Sequence, residues 1–557
     1  MPPLDKLTGT LGSQNAAHLL RRTTFGLTKS DISNFSSLTV DEAMAALFSD
    51  SAMPDPPVDP ATGLTWLNPK AGDGNSSQDK LTEIFMAWHL EQMRHSGTNI
   101  RERITWFYHT HLPVRRTLVT ASEMLYYQNS LFRHYAFGSF KELFRKICVD
   151  NAMLIYLDNG INDKQTPNEN FAREMLELYS IGRGEQDGEG SYTNYTEQDV
   201  VAATRVLTGW QVDEDYLNTE ENGIPLGKLR TLQYNGETVA NRHDSGTKTF
   251  SSKFGGQTIA PSGELIGGYA TVEQAEQELD DLIDMIFNQD ETARFIIRKL
   301  YRYFVYYEID SYVENNIIIP LAAEFKSSQY DIPTVLKKLL SCKHFYDVES
   351  DPEADNIKGS VIKSPIEIVI GTCRLFESEF PANLSAYLKS EENPKSGLIN
   401  LLIQQGISYY EPFEVAGYPA YHQFPAYNRN WITPYYLVYR YKTADYIIYN
   451  SPFEGGLLNI NIDILEWTKT NISDPANADT LVSEILNLMV PYDLQTASSE
   501  RYDYFVQVFL DTSAKYQWAD AWNTYISSPT PTTEESAKVP ILRLVSKLIQ
   551  TPEYQLH

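Results

Sequence analysis

Residues able to do chemistry concentrate between Pro167 and Trp210. In the run PNENFAREMLELYSIG, Glu169, Arg173 and Glu177 recur at four-residue spacing, so on a helix they share a face and can pair along it. Asn170, Glu174 and Glu177 form a second polar stripe, while Phe171, Met175 and Leu178 form an apolar one. Acids laddered with an arginine have two uses. They tie neighbouring helices together, or they present a cation ligand or a carboxyl group of raised pKa. Under the second use Glu174 and Glu177 are the acid–base candidates, Arg173 orients them, and Glu169 is a metal ligand. His243 and Asp244, in HDSGTKTF, make a further pair. A histidine beside a carboxylate serves as base or ligand, or it caps a turn. His243 therefore joins the catalytic candidates and Asp244 the metal ligands.

His109 and His111 are also candidate metal ligands. On a regular helix two such positions point about 200° apart, so they share one metal only if Pro113 ends the helix early. In the irregular stretch EPFEVAGYPAYHQFPAYNRNW, Tyr418, Tyr421, His422 and Trp431 offer an aromatic platform for a sugar or peptide. The alternative is a loop that packs its own aromatic rings.

Helical elements must position these groups. Asn168 is placed to cap the first central helix and Gly182 to stop it, while Thr196 and Asp199 form a capping box for the second. Asp79 to His95 and Thr98 to His111 are two further helices. Trp106, Phe107 and Tyr108 make the latter apolar on nearly all sides, as a buried helix requires. Arg101, Glu102 and Arg103 in its first turn are expected to reach the central acids. Helices over 118–135 and 140–157 follow. Helical periodicity stops at 211 and resumes at 271; between them Asn235-Gly236 marks a hairpin. In the helix 291–308, Arg298, Lys299 and Arg302 either neutralise the central acids or lie solvated over packed stems.

The expected fold is mainly α: a large multi-helix globule with a small β-hairpin insertion around 211–270. Its parts are N-terminal helices (1–50), an extended Pro/Gly-rich wrap (51–78), a central helical core (79–210), the insertion (211–270), a second helical part packed on the core (271–450) and a C-terminal helical segment (451–557).

The net charge is −27 over 557 residues. That excludes a nonspecific nucleic-acid footprint and docking on anionic lipid. No apolar run of about 18 residues occurs, so no membrane insertion is expected. The first residues lack the charged-then-apolar order of a secretory signal, which makes a cytoplasmic location the default. Three widely spaced cysteines build neither a disulfide framework nor a zinc knuckle. Phosphate-loop, dinucleotide and nucleophile-elbow motifs are absent. The one cofactor the candidate residues suggest is a divalent cation.

Several segments resemble, in order, the bacterial domain of unknown function 1800 family. They are HLLRRTTFG (His18 to Gly26), RERITWFYHTHL (Arg101 to Leu112), NENFARE (Asn168 to Glu174), the helix from Tyr195 to Trp210, HDSGTKTF (His243 to Phe250), KLYRYFV (Lys299 to Val305) and KSPIEIVIG (Lys363 to Gly371). The resemblance covers most of the chain and brings no activity. It implies a partner, because genes of this family often neighbour those of a sulfatase-like family, domain of unknown function 1501. Relatives often carry export signals, so export with a partner stays open. Relatives also show a Pro-Pro…Gly-Trp form where this chain has Pro412-Phe413 and Gly417-Tyr418, so the role of that tryptophan does not carry over. The expected function is an accessory or scaffold protein acting with the sulfatase-like partner. The alternatives are a metal-assisted hydrolase acting on a polysaccharide or similar polymer, and a glycan-binding module.

Overall fold

All eleven residues of the helix Arg101–His111 are buried, and the other elements are laid around it. The computed structural model describes residues 3–67, 75–220, 222–348, 357–390 and 393–557. The architecture is mainly α with a few short β ribbons, and one continuous apolar core runs from Leu11 to Tyr554. Helices Gln78–His95 and Ser122–His134 pack on the buried helix and on each other.

Three charged residues enter the interior with this helix, and each meets a partner outside the central acids. Glu102 accepts a two-pronged bond from Arg133 at 2.6 and 2.8 Å. Arg101 reaches Asp50 at 3.1 Å. Arg103 pairs with Glu367 of the helix Pro365–Leu375. The expectation that they neutralise the 169–177 acids is therefore corrected: the first turn of their helix faces Ser122–His134 and Pro365–Leu375. Glu367 is itself the third-position acid of a capping box with Ser364, behind Pro365 at the first helical position. Arg103 and the Ser364 amide together outweigh burial and hold its carboxyl down at about 2.

Local sequence accounts for most boundaries. Thr39 and Glu42 form the capping box that opens Val40–Leu47, and Thr196 and Asp199 the one that opens Glu197–Val206. The predicted helix over 140–157 divides into Phe140–Ile147 and Asn151–Tyr156, because Asp150 caps a new start through the Met153 amide. The extended segment after Leu47 is pinned by Trp66, whose indole donates to Ser122 Oγ at 2.8 Å. Residues 68–74 of the predicted wrap lie outside the described residues. At Asn235-Gly236 both φ angles are positive, 51° and 88°, and the strands Leu232–Tyr234 and Glu237–Val239 pair across this turn. Three more two-stranded antiparallel ribbons join Gln186–Gly188 to Ser191–Tyr192, Trp210–Gln211 to Lys228–Leu229, and Lys248–Thr249 to Thr258–Ile259.

The C-terminal helix Pro531–Ile549 packs on Ser499–Leu510 and on the turn Ala444–Ile448, and Leu556 then pairs with Ile362. Among the described residues no helix is long and apolar enough to cross a membrane.

Removing the acid from a buried ion pair leaves a charge with no partner, which costs about 3–5 kcal/mol. Glu102→Gln should therefore lower unfolding stability by that order in urea titration at pH 7, and adding Arg133→Met should recover part of the loss. Additive losses in the double variant would show that the two side chains are not coupled.

Candidate functional site

The two histidines of the buried helix point to different places, as their spacing requires. The His109 ring lies 4.2 Å from that of Tyr410 and 5.0 Å from that of Trp106, and its Nε2 is 3.3 Å from the Tyr418 hydroxyl. His111 Nε2 donates to the Tyr179 carbonyl at 3.0 Å. Burial keeps both rings neutral, lowering His109 to about 3 and His111 well below its ordinary range. Neither Nδ1 has a hydrogen-bond partner in the described structure.

Along the face of this helix that carries Arg103, Phe107, Thr110 and His111 lies a pocket walled on one side by the loop 411–431. The loop crosses close to the helix. Gly417 has φ of 103°, and a Cβ there would sit 2.6 Å from the Thr110 carbonyl oxygen, so only glycine fits. Its aromatic residues fold inward: Tyr418 and Trp431 are buried, and Tyr421 packs edge-on against Trp431 at 5.8 Å while its hydroxyl meets the Trp106 indole N–H at 3.4 Å. Of the two readings of Tyr418, Tyr421, His422 and Trp431, a platform or a loop packing its own rings, the rings pack inward and form an inner wall. Tyr421, His422 and Trp431 line the cavity, and Tyr418 backs it through His109.

The opposite wall is basic. Lys299 and Arg302 come from the helix Asp290–Phe304, and Arg103 with Glu367 from the core. The cavity measures about 40 Å³, room for a few water-sized groups. Lys299 lies over the Phe295 ring at 5.0 Å and forms no ion pair among the described residues. Burial and the neighbouring Arg302 lower it to about 8. Arg302 donates to the Tyr307 carbonyl at 3.2 Å and stacks over Tyr427 at 5.2 Å. Glu314, whose field reaches it, is already held by Arg298 at 2.7 and 2.9 Å. Arg298 thus neutralises Glu291 and Glu314 and not the central acids, while Lys299 and Arg302 are left facing the cavity. His422 is held below its usual pKa by burial and then by Lys299, and its Nε2 has no partner.

The 169–177 acids lie elsewhere, on a half-buried face. Asn168 accepts the Asn170 amide at 3.0 Å, the first-turn bond expected of it, and regular helix runs from Asn170. It continues as a wider turn, Met175–Ser180, and ends before Gly182 at φ of 74°. Arg173 forks onto Glu197 at 2.7 and 2.8 Å and reaches Glu169 at 3.1 Å. Glu177 meets Arg183 at 3.3 Å and accepts from the Tyr195 hydroxyl at 3.1 Å. Glu174 has neither contact; burial and then Glu177 raise its pKa against the pull of Arg173. His243 is fully buried, donating to the Thr208 carbonyl at 3.1 Å with Nε2 at 3.4 Å from Glu278, and Asp244 is held by Arg205 at 2.7 Å. Among the described residues no group of three or more His, Cys, Asp and Glu side chains is gathered to hold a metal, so Glu169, His109, His111 and Asp244 do not form one site.

Sequence reasoning named His111, Tyr421, His422 and Trp431 but not Arg103, Glu367, Lys299 and Arg302 as their companions. The available signal was a pair of cations three residues apart inside the aromatic run KLYRYFV.

Two substitutions separate these surfaces. Glu174→Gln should leave stability within about 1 kcal/mol of the parent or raise it, because it removes an acid that faces another acid. Glu197→Gln, which frees Arg173, should cost about 0.5–1 kcal/mol, discounted for its partial exposure. Urea midpoints at pH 7 that rank the other way would reassign the partner of Arg173. For Lys299 the folded pKa lies below that of the unfolded chain, so the native state binds fewer protons and stability rises with pH between about 8 and 10.5. Lys299→Met should therefore raise Tm at pH 7, and its advantage should shrink as pH climbs through that window.

A family model described as Protein of unknown function (DUF1800) matches residues 18–556, nearly the whole chain. No curated protein and no solved structure matches it.

Proposed function

Because the chain belongs to this family of proteins of unknown function, DUF1800, we propose that it is an accessory binding protein. It holds a ligand in the pocket beneath the 411–431 loop and docks a protein partner on the outer face of the same loop. One observation carries the reading. Phe413 and Phe424, 81% and 78% exposed, are the only phenylalanines in the exposed class among the described residues, and both sit on the loop whose inner rings close the pocket. Ile432, Tyr435 and Val438 extend exposed apolar surface along the following segment. Large exposed apolar side chains grouped along one segment suit an interaction surface. The family resemblance supplies the partner to test first, the sulfatase-like protein of domain of unknown function 1501.

Co-expression with a sulfatase-like protein of domain of unknown function 1501 tests this. The two chains should co-elute in size-exclusion chromatography. Phe413→Asp with Phe424→Asp should abolish co-elution with little change in Tm, since both rings are solvent-exposed. A monodisperse chain that ignores the partner would sink the proposal.

A further inference from the structure

The pocket's charge is unbalanced. Acids outnumber bases in this chain by 73 to 46, so carboxylate partners are plentiful. Some buried cations have found them, as Arg133 has Glu102, Arg103 has Glu367 and Lys248 has Glu278, while Arg21, Arg22 and Arg440 rest on carbonyl groups instead. Among the described residues Lys299 and Arg302 have no carboxylate partner, although they stand one helical turn apart and line the same pocket. Two like charges side by side on a half-buried wall repel each other and favour a bound anion.

Other donors converge on the same space. Arg103 is almost fully buried, lines the cavity, and has an Nε–H without an acceptor. His422 brings an unpartnered Nε2 from the covering loop. On protonation it becomes a further donor to an anion. His111 Nδ1, by contrast, is a lone pair, because Nε2–H is committed to the Tyr179 carbonyl. It suits an ammonium or a ligand hydroxyl, not an oxyanion. The remaining walls are aromatic, with Tyr303, Tyr421, Tyr427 and Trp431.

We propose that this pocket is an oxyanion site, in which Lys299 and Arg302 hold a carboxylate, phosphate or sulfate group beside the aromatic walls. Arg302 supplies a planar fork of donors and Lys299 a point charge, a pair suited to an oxyanion of either trigonal or tetrahedral shape. This deepens the reading of the pocket as the ligand site and rests on it.

The test uses the full chain at pH 7 and fixed ionic strength, with sodium chloride replaced stepwise by sodium sulfate, phosphate or acetate. Calorimetric titration and Tm are read together, and a parallel arm uses neutral cello-oligosaccharides. At least one oxyanion should bind saturably at one site and raise Tm, and the sulfate, phosphate and acetate arms distinguish the source of the charge. Lys299→Met with Arg302→Gln should weaken that binding at least tenfold. The loss of two unpaired charges should not lower the variant's own Tm, so a failure to fold would not be mistaken for the result. A selenate soak should place its anomalous peak between Lys299 and Arg302. No saturable oxyanion effect, or one that survives in the double variant, would overturn the assignment. Binding of the neutral sugars alone would overturn the charge assignment and leave the pocket as a ligand site. Silence in every arm would count against both, while partner co-elution would still report separately on the docking face.

Discussion

Burying charged side chains in the centre of a helical body constrains the rest of this molecule. The helix Arg101–His111 brings Arg101, Glu102 and Arg103 into the interior along with Ile104, Trp106, Phe107 and Tyr108. An ionised group there costs several kcal/mol unless it is paired and hydrogen-bonded. The helix can occupy the centre only if Ser122–His134 delivers Arg133 and Pro365–Leu375 delivers Glu367. Glu367 serves two tasks at once, capping its own helix and neutralising Arg103, so the start of one element and the core of another are locked together.

The same constraint explains why the pocket stands out. Neutralisation is complete around Arg133 and Arg103 and incomplete around Lys299 and Arg302. The 411–431 loop can close over those two cations because Gly417 lets it lie against the Thr110 carbonyl, and because its tyrosines and tryptophan turn inward. The proposed ligand site rests on that local imbalance, not on the acid-rich helix the eye is drawn to first. Arg173 and its glutamates are satisfied among themselves on a half-buried face, where such ladders add modest stability.

What could be read from the residues was whatever is decided within a few positions of the chain. The capping boxes at Thr39 and Thr196, the Asn235-Gly236 turn, the stop at Gly182 and the buried character of the Trp106 helix all follow from short-range rules. His109 and His111 could be set apart from spacing alone. The helix over 140–157 broke at Asp150, because its side chain offered the backbone a competing hydrogen bond. The candidate site was half legible. His111, Tyr421, His422 and Trp431 were visible as unusual residues in the right segments, but their shared pocket was not.

The sequence by itself therefore determined the mainly helical class, most element boundaries and the family, since propensity, capping and periodicity act locally and the motifs are contiguous. Only the tertiary structure decided who pairs with whom. His109 meets Tyr418 across 309 positions and Trp106 meets Tyr421 across 315, separations that no spacing rule reaches. A cation's meaning depends on whether a carboxylate arrives beside it in space. For Arg103 one does; for Lys299 and Arg302 none does among the described residues.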